Sequence, residues 1–234
     1  MGSRISSLEA VHPAIRRAVE QVQRDLTAQG LPFELYETFR GRDRQESGKS
    51  RGTSNAGMWE SYHNYGTAVD FVGKTPSGQW SWDQSLPWSR LGEVYERAGL
   101  GWGGRWKGFV DLVHGQLSRA YSWQELRGGA VADPMLARNA GATGAEWGAW
   151  MRWFWPQAAE LHHAMIAQLQ RSTGVASNNP EELIQAGERM IGGGSLVFHS
   201  SFPSTKVMVL AGAGVLLLTS LGFVIWRLRR GRTL

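Results

Sequence analysis

The stretch Ser61-Tyr62-His63-Asn64-Tyr65-Gly66-Thr67-Ala68-Val69-Asp70-Phe71 places a histidine and a carboxylate seven residues apart around a glycine. Along a straight strand an odd separation sends two side chains to opposite faces. His63 and Asp70 therefore meet only if the chain turns between them, and Gly66 makes that turn cheap. Downstream, Asp111-Leu112-Val113-His114 adds a second histidine and a second carboxylate. Two histidines, one carboxylate and an open fourth position suit a catalytic zinc, whereas structural zinc sites are usually closed by four ligands rich in cysteine. The chain has no cysteine. Asp111 is then left over for proton transfer.

Outward from this stretch, the segment 67–72 reads as a strand, 33–39 as an earlier one, and 109–113 as a later one. Apolar residues at Leu8, Val11, Ile15, Val19, Val22 and Leu26 recur at helical spacing, and Gly30-Leu31-Pro32 ends that opening helix. A second helix is expected over 91–98, and a polar loop over 40–58. The fold expected is α+β: a small antiparallel sheet flanked by helices and holding one zinc, followed by a helical segment and one C-terminal transmembrane helix.

The 234 residues carry a formal charge of +5, but Arg227, Arg229, Arg230 and Arg232 supply four of those charges near the end. No basic stripe remains on a folded face, so a nucleic-acid partner is not expected. No apolar run near the N-terminus resembles a cleavable export signal. Residues 207–226, by contrast, are apolar and uncharged over a length that crosses ~30 Å of hydrocarbon. They are expected to form a membrane-spanning helix with the lipid bilayer as partner. By the positive-inside rule the basic C-terminus is cytoplasmic and the catalytic part faces the periplasm or wall.

The division expected is a zinc peptidase domain over 1–126, a linker over 127–146, and a tryptophan-rich helical segment over 147–171. A tether over 172–206, the helix over 207–226 and a basic tail over 227–234 follow. Trp147, Trp150, Trp153 and Trp155 could pack in a core, contact sugars or rest at a membrane surface. His162 and His163 point about 100° apart on a helix, so they are read as surface residues rather than ligands.

These residues resemble a family of cell-wall hydrolases, the zinc DD-peptidases, which includes VanY-like carboxypeptidases and the L-alanyl-D-glutamate endopeptidases of phage endolysins. The pattern SxHxxGxAxD is met by Ser61, His63, Gly66, Ala68 and Asp70, and a second block by Trp102-Gly103-Gly104-Arg105-Trp106 leading to Asp111 and His114. An arginine and a glutamine precede the first histidine, as Arg40 and Gln45 do here, and Val11-His12-Pro13 is also familiar. The resemblance covers about residues 4–126. It implies one zinc per chain held by His63, Asp70 and His114, with Asp111 as catalytic base. Arg40 would face the substrate or its developing oxyanion, and Gln45 and Ser61 would support substrate binding. For Arg40 the bland reading is a surface charge, and for Ser61 a turn cap. One departure stands out: members commonly carry an aromatic residue after the second histidine, and this chain has Gly115.

The resemblance implies a peptidase cutting the peptidoglycan stem peptide, with the bond between L-alanine and D-glutamate preferred over a D-alanyl-D-alanine carboxypeptidase activity. An alternative of another class is a zinc-containing wall-binding module without catalysis.

Overall fold

The computed structural model describes residues 2–117 and 121–193, together with two short strands further on. Helix α1, Pro13–Ala28, starts behind His12, whose ring accepts the Ala14 amide, and proline at the first helical position suits that start. Its buried stripe, Ile15, Val19, Val22 and Leu26, is the one the spacing predicts. Strand β1 is Phe33–Glu37, β2 Ala68–Lys74, β3 Trp80–Ser81, β4 Leu100–Trp102 and β5 His114–Leu117. All pairs are antiparallel, in the order β1-β2-β5-β4, with β3 on the far end of β2.

Alternation along β2 decides what lies on each side of the sheet. Val69 and Phe71 join the stripe of α1 and the residues Leu91, Val94 and Tyr95 of helix α3, Trp88–Arg97, in one apolar core. Asp70, between them, points to the opposite face. The expected strand at 109–113 is displaced: pairing starts at His114, because 103–113 instead forms the loop that bears Asp111.

The polar segment 40–58 holds a helix, α2, Arg42–Ser50, which the sequence reading took as loop. Its buried residues are Gln45 and Gly48, so it carries no apolar stripe for periodicity to detect.

Beyond the sheet come α4 (Trp123–Arg127), α5 (Pro134–Asn139), α6 (Gly144–Phe154), α7 (His162–Thr173) and α8 (Pro180–Ile191). Residues 127–146, weakly patterned in sequence, thus hold a 3-10 turn at Ala130–Ala132, helix α5 and the start of α6. Trp147 and Trp150 are buried in a second core that also contains Phe39, Trp59 and Tyr65 from the sheet side. His12 fastens this contact: its Nε2 lies 3.1 Å from the Val131 carbonyl, and its ring meets Trp150 edge-on at 4.3 Å.

The transmembrane helix expected over 207–226, and with it the single-pass placement, the cytoplasmic basic C-terminus and the bilayer as partner, is corrected. Among the described residues no helix is long and apolar enough to cross a membrane. Within that stretch Leu218–Thr219 and Gly222–Phe223 pair as antiparallel strands. Runs of Val, Leu, Ile and Phe broken by glycine satisfy a hydropathy count without committing the backbone to a helix. The rest of 207–226, the end of the tether and the basic tail lie outside the described residues.

Candidate metal centre and peptidase cleft

Sheet register explains why residues distant in sequence meet. Asp70 of β2 sits opposite His114 of β5 and opposite Glu37 of β1, so the three form one row across three strands. An irregularity in β1 between Leu35 and Glu37 brings Glu37 into that row. His63 arrives from a 3-10 turn, Tyr62–Tyr65, that ends at Gly66 in the left-handed conformation (φ 64°). A Cβ at Gly66 would lie 2.4 Å from the Ala10 carbonyl oxygen, so glycine is required here for space as well as for φ.

The result is a tight buried group. His63 Nε2 lies 3.1 Å from Asp70 Oδ1, His114 Nδ1 3.3 Å from the same oxygen, and the two ring nitrogens are 3.2 Å apart. The outer nitrogens decide the chemistry of the inner ones. His63 Nδ1 faces the Thr38 carbonyl at 3.3 Å, and His114 Nε2 faces Gln116 Oε1 at 3.0 Å. Both outer atoms face oxygen acceptors, which favours the tautomer with the proton outward and the lone pair inward. Two lone pairs and a carboxylate oxygen then converge on one point, an arrangement that a cation relieves. The donor set of two imidazoles and one carboxylate fits a catalytic zinc.

Burial opposes charge on Asp70, yet the His63 and His114 rings hold its carboxyl well below the usual carboxylate range. Burial also opposes charge on His114, but the hydrogen bond and charge of Asp70, with the charge of Asp111, raise its pKa. Asp111 is pushed up from the ordinary aspartate value by burial first and the Asp70 charge second.

A cleft of about 830 Å³ opens over this group, and Asp111, Arg40 and Ser61 line it with the three candidate ligands. Arg40 donates to Glu37 at 2.5 and 2.9 Å and reaches Asp70 Oδ2 at 3.3 Å, so it is no loose surface charge. Ser61 caps the 3-10 turn, its hydroxyl accepting the His63 amide at 3.3 Å. Gln45 is fully buried behind the cleft wall, donating to Ser54 Oγ at 3.0 Å and the Ala56 carbonyl at 2.7 Å. The structure thus gathers six of the seven residues picked from the sequence around one cavity and sets Gln45 behind it as a support of the wall. His162 Nε2 lies 2.8 Å from the Trp155 carbonyl, away from the group.

The WGGRW block has a mechanical explanation. Trp102 donates its indole N–H to the Leu112 carbonyl at 2.9 Å, tying down the loop before β5. A Cβ at Gly103 would meet the Asp111 carbonyl oxygen at 2.5 Å, and one at Gly104 would enter the Trp102 ring. The two glycines therefore let this loop pass close enough to place Asp111. Gly115 is explained likewise: a Cβ there would lie 2.3 Å from the Tyr95 ring. The aromatic beside His114 is instead Trp106, with ring centroids 5.1 Å apart.

Sequence reasoning missed Glu37, Thr38 and Gln116. Gln116 carried a usable signal, because it stands two residues after His114 and so on the same strand face. Thr38 acts through its backbone carbonyl, for which residue type gives no signal.

A family model described as D-alanyl-D-alanine carboxypeptidase matches residues 54–117. The chain is 28% identical over 119 residues to the peptidoglycan L-alanyl-D-glutamate endopeptidase CwlK of Bacillus subtilis, covering 44% of this chain and 71% of that protein. It is 33% identical over 90 residues to the L-alanyl-D-glutamate peptidase of Listeria phage A118, covering 38% of this chain and 31% of the phage enzyme. Among solved structures, the Serratia marcescens L-Ala D-Glu endopeptidase ChiX is 29% identical, over 50% of this chain and 90% of that one, with a TM-score of 0.39. These matches support a metallopeptidase, and the chain is similar to peptidases of the zinc DD-peptidase kind. Within that class, the curated relatives it resembles are L-alanyl-D-glutamate peptidases.

Proposed function

We propose that this chain is a zinc-dependent peptidase that opens the peptidoglycan stem peptide between L-alanine and D-glutamate. The observation that carries the reading is the convergence of His63, Asp70 and His114, with the outer ring nitrogens of both histidines facing oxygen atoms, in a chain similar to two L-alanyl-D-glutamate peptidases.

In this reading one zinc ion would be held by His63, Asp70 and His114. When bound, the ion supplies Lewis acidity toward the peptide carbonyl and toward water. Asp111, half-enclosed in the same cleft, takes a proton from the attacking water and returns it to the departing amide nitrogen. Burial and the Asp70 charge raise its pKa, which suits a group that must both accept and release that proton. Arg40, anchored on Glu37 and leaning over Asp70, turns its guanidinium to the developing oxyanion. Ser61 and Gln45 act on shape: the first caps the turn that bears His63, and the second holds the wall at Ser54 and Ala56.

The test uses the full chain on purified peptidoglycan, with and without a chelator, followed by zinc add-back and mass analysis of the fragments. Chelator-sensitive appearance of new N-terminal D-glutamate supports the proposal. Release of D-alanine alone moves the assignment to a carboxypeptidase, the activity in the matching family's description.

A further inference from the structure

Glu37 is buried, 1% exposed, and carries two guanidinium groups rather than one. Arg40 donates to its Oε2, and Arg44, one helical turn along α2, donates to its Oε1. One carboxylate neutralises one of these cations. Arg40 spends its remaining contact on Asp70, whose charge belongs to the metal group. Among the described residues Arg44 has no second carboxylate as a hydrogen-bond partner, and it lines the same cleft as the metal group and Asp111. The wall formed by β1 and α2 therefore holds a surplus positive charge, fixed in place by a buried anchor and open to the cavity.

A substrate that enters such a cleft places its own anion against that charge. The proposed substrate supplies one beside the bond to be cut. In a stem peptide the glutamate continues through its γ-carboxyl, so its α-carboxyl sits on the very carbon that bears the scissile nitrogen. In some walls that group is a free carboxylate and in others a neutral amide. A guanidinium presents paired, permanently charged donors that match a carboxylate and lose one ionic partner when an amide replaces it.

We propose that Arg44, held by Glu37, seats the α-carboxylate of the stem-peptide glutamate and makes the enzyme discriminate against stem peptides amidated at that position. The inference rests on the L-alanyl-D-glutamate reading above and names the residue that sets its substrate preference.

The experiment compares two synthetic peptides, identical except that one carries D-glutamate and the other D-isoglutamine after L-alanine. The full-length zinc-loaded chain and its Arg44→Gln and Arg44→Lys variants are assayed on both. A single charged hydrogen bond contributes about 1.5–3 kcal/mol, so the wild type is expected to prefer the free acid by at least about tenfold in kcat/KM. Arg44→Gln is expected to bring that ratio close to one, chiefly by raising KM for the acid. Arg44→Lys, which keeps the charge and loses the fork, is expected to fall between.

Equal cleavage of both peptides by the wild type overturns the carboxylate seat and leaves the endopeptidase reading standing. Equal loss on both peptides in Arg44→Gln, with the ratio kept, also overturns it by showing a general structural role. Cleavage of neither peptide, with D-alanine released from intact wall, overturns the endopeptidase reading and the seat with it.

Discussion

Gln116 Oε1 lies 3.0 Å from His114 Nε2, and this contact turns the other nitrogen of the ring, Nδ1, toward Asp70 at 3.3 Å. An imidazole held in this way is a better ligand, since its tautomer and its orientation are set before metal arrives. Removing the acceptor in Gln116→Leu is expected to weaken zinc binding by about 10- to 100-fold. Competition against a calibrated chelator measures it; unchanged affinity would show that the ring is oriented by packing against Trp106 instead.

Asp111→Asn keeps the size of the side chain and removes its ability to take a proton. Zinc content is expected to stay at one per chain while kcat falls by about 10²–10⁴-fold. Metal analysis of the same sample used for kinetics separates this from loss of the ion.

Acid sensitivity is expected from His12, outside the cleft. Burial first, and the Arg16 charge to a lesser degree, lower its pKa from 6.5 to about 3, against the raising effect of the Val131 carbonyl. The unfolded chain therefore binds a proton on this ring at a pH where the folded chain does not. Stability from His12 is fully present above pH 6.5 and is lost as the pH falls toward 3. Its size is on the order of 5 kcal/mol. Urea unfolding of the wild type and His12→Asn across that range measures it. Asparagine retains a helix cap and has no titrating ring, so the variant should be less stable at neutral pH and show a shallower loss in acid.

Cutting the chain after residue 126 is expected to damage the site without touching a ligand. Phe39, Trp59 and Tyr65, neighbours of Arg40 and His63, share one core with Trp147, Trp150 and Phe154. Glu160 also accepts the Trp59 indole N–H at 2.7 Å and pairs with Arg42 of α2. A 1–126 fragment should therefore lose cooperative unfolding and near-ultraviolet circular dichroism. Trp150→Ala in the full chain should cost about 3–5 kcal/mol, read by thermal or urea melts.

Restoring an aromatic residue after the second histidine, Gly115→Phe, should harm this protein. The new side chain would enter the Tyr95 ring, whose hydroxyl donates to the Val113 carbonyl at 2.7 Å, just before His114. Overpacking of this kind costs about 1–3 kcal/mol or more. A lower melting temperature together with weaker zinc binding would show that Gly115 answers to Tyr95; a neutral outcome would show that the Tyr95 ring can move aside.

The meeting of His63, Asp70 and His114 was legible in the sequence by itself, because ligand chemistry restricts residue type and Gly66 marks the turn that brings the first two together. The α1 stripe was legible for the same kind of reason: burial on one face of a helix imposes a period on composition. Three things were decided only by tertiary structure. Sheet register set Glu37, Asp70 and His114 in one row, and register depends on pairing partners that no local pattern names. Helix α2 formed without an apolar stripe, since what it buries is Gln45, a residue satisfied by hydrogen bonds to the cleft wall. The tryptophans at 147 and 150 read first as packing, with sugar contact and membrane surface left open, because an indole suits all three settings. Packing of Trp150 against His12 and Phe154, in a core shared with Phe39 and Trp59, chose the core, and burial is a property of neighbours that the chain acquires only on folding.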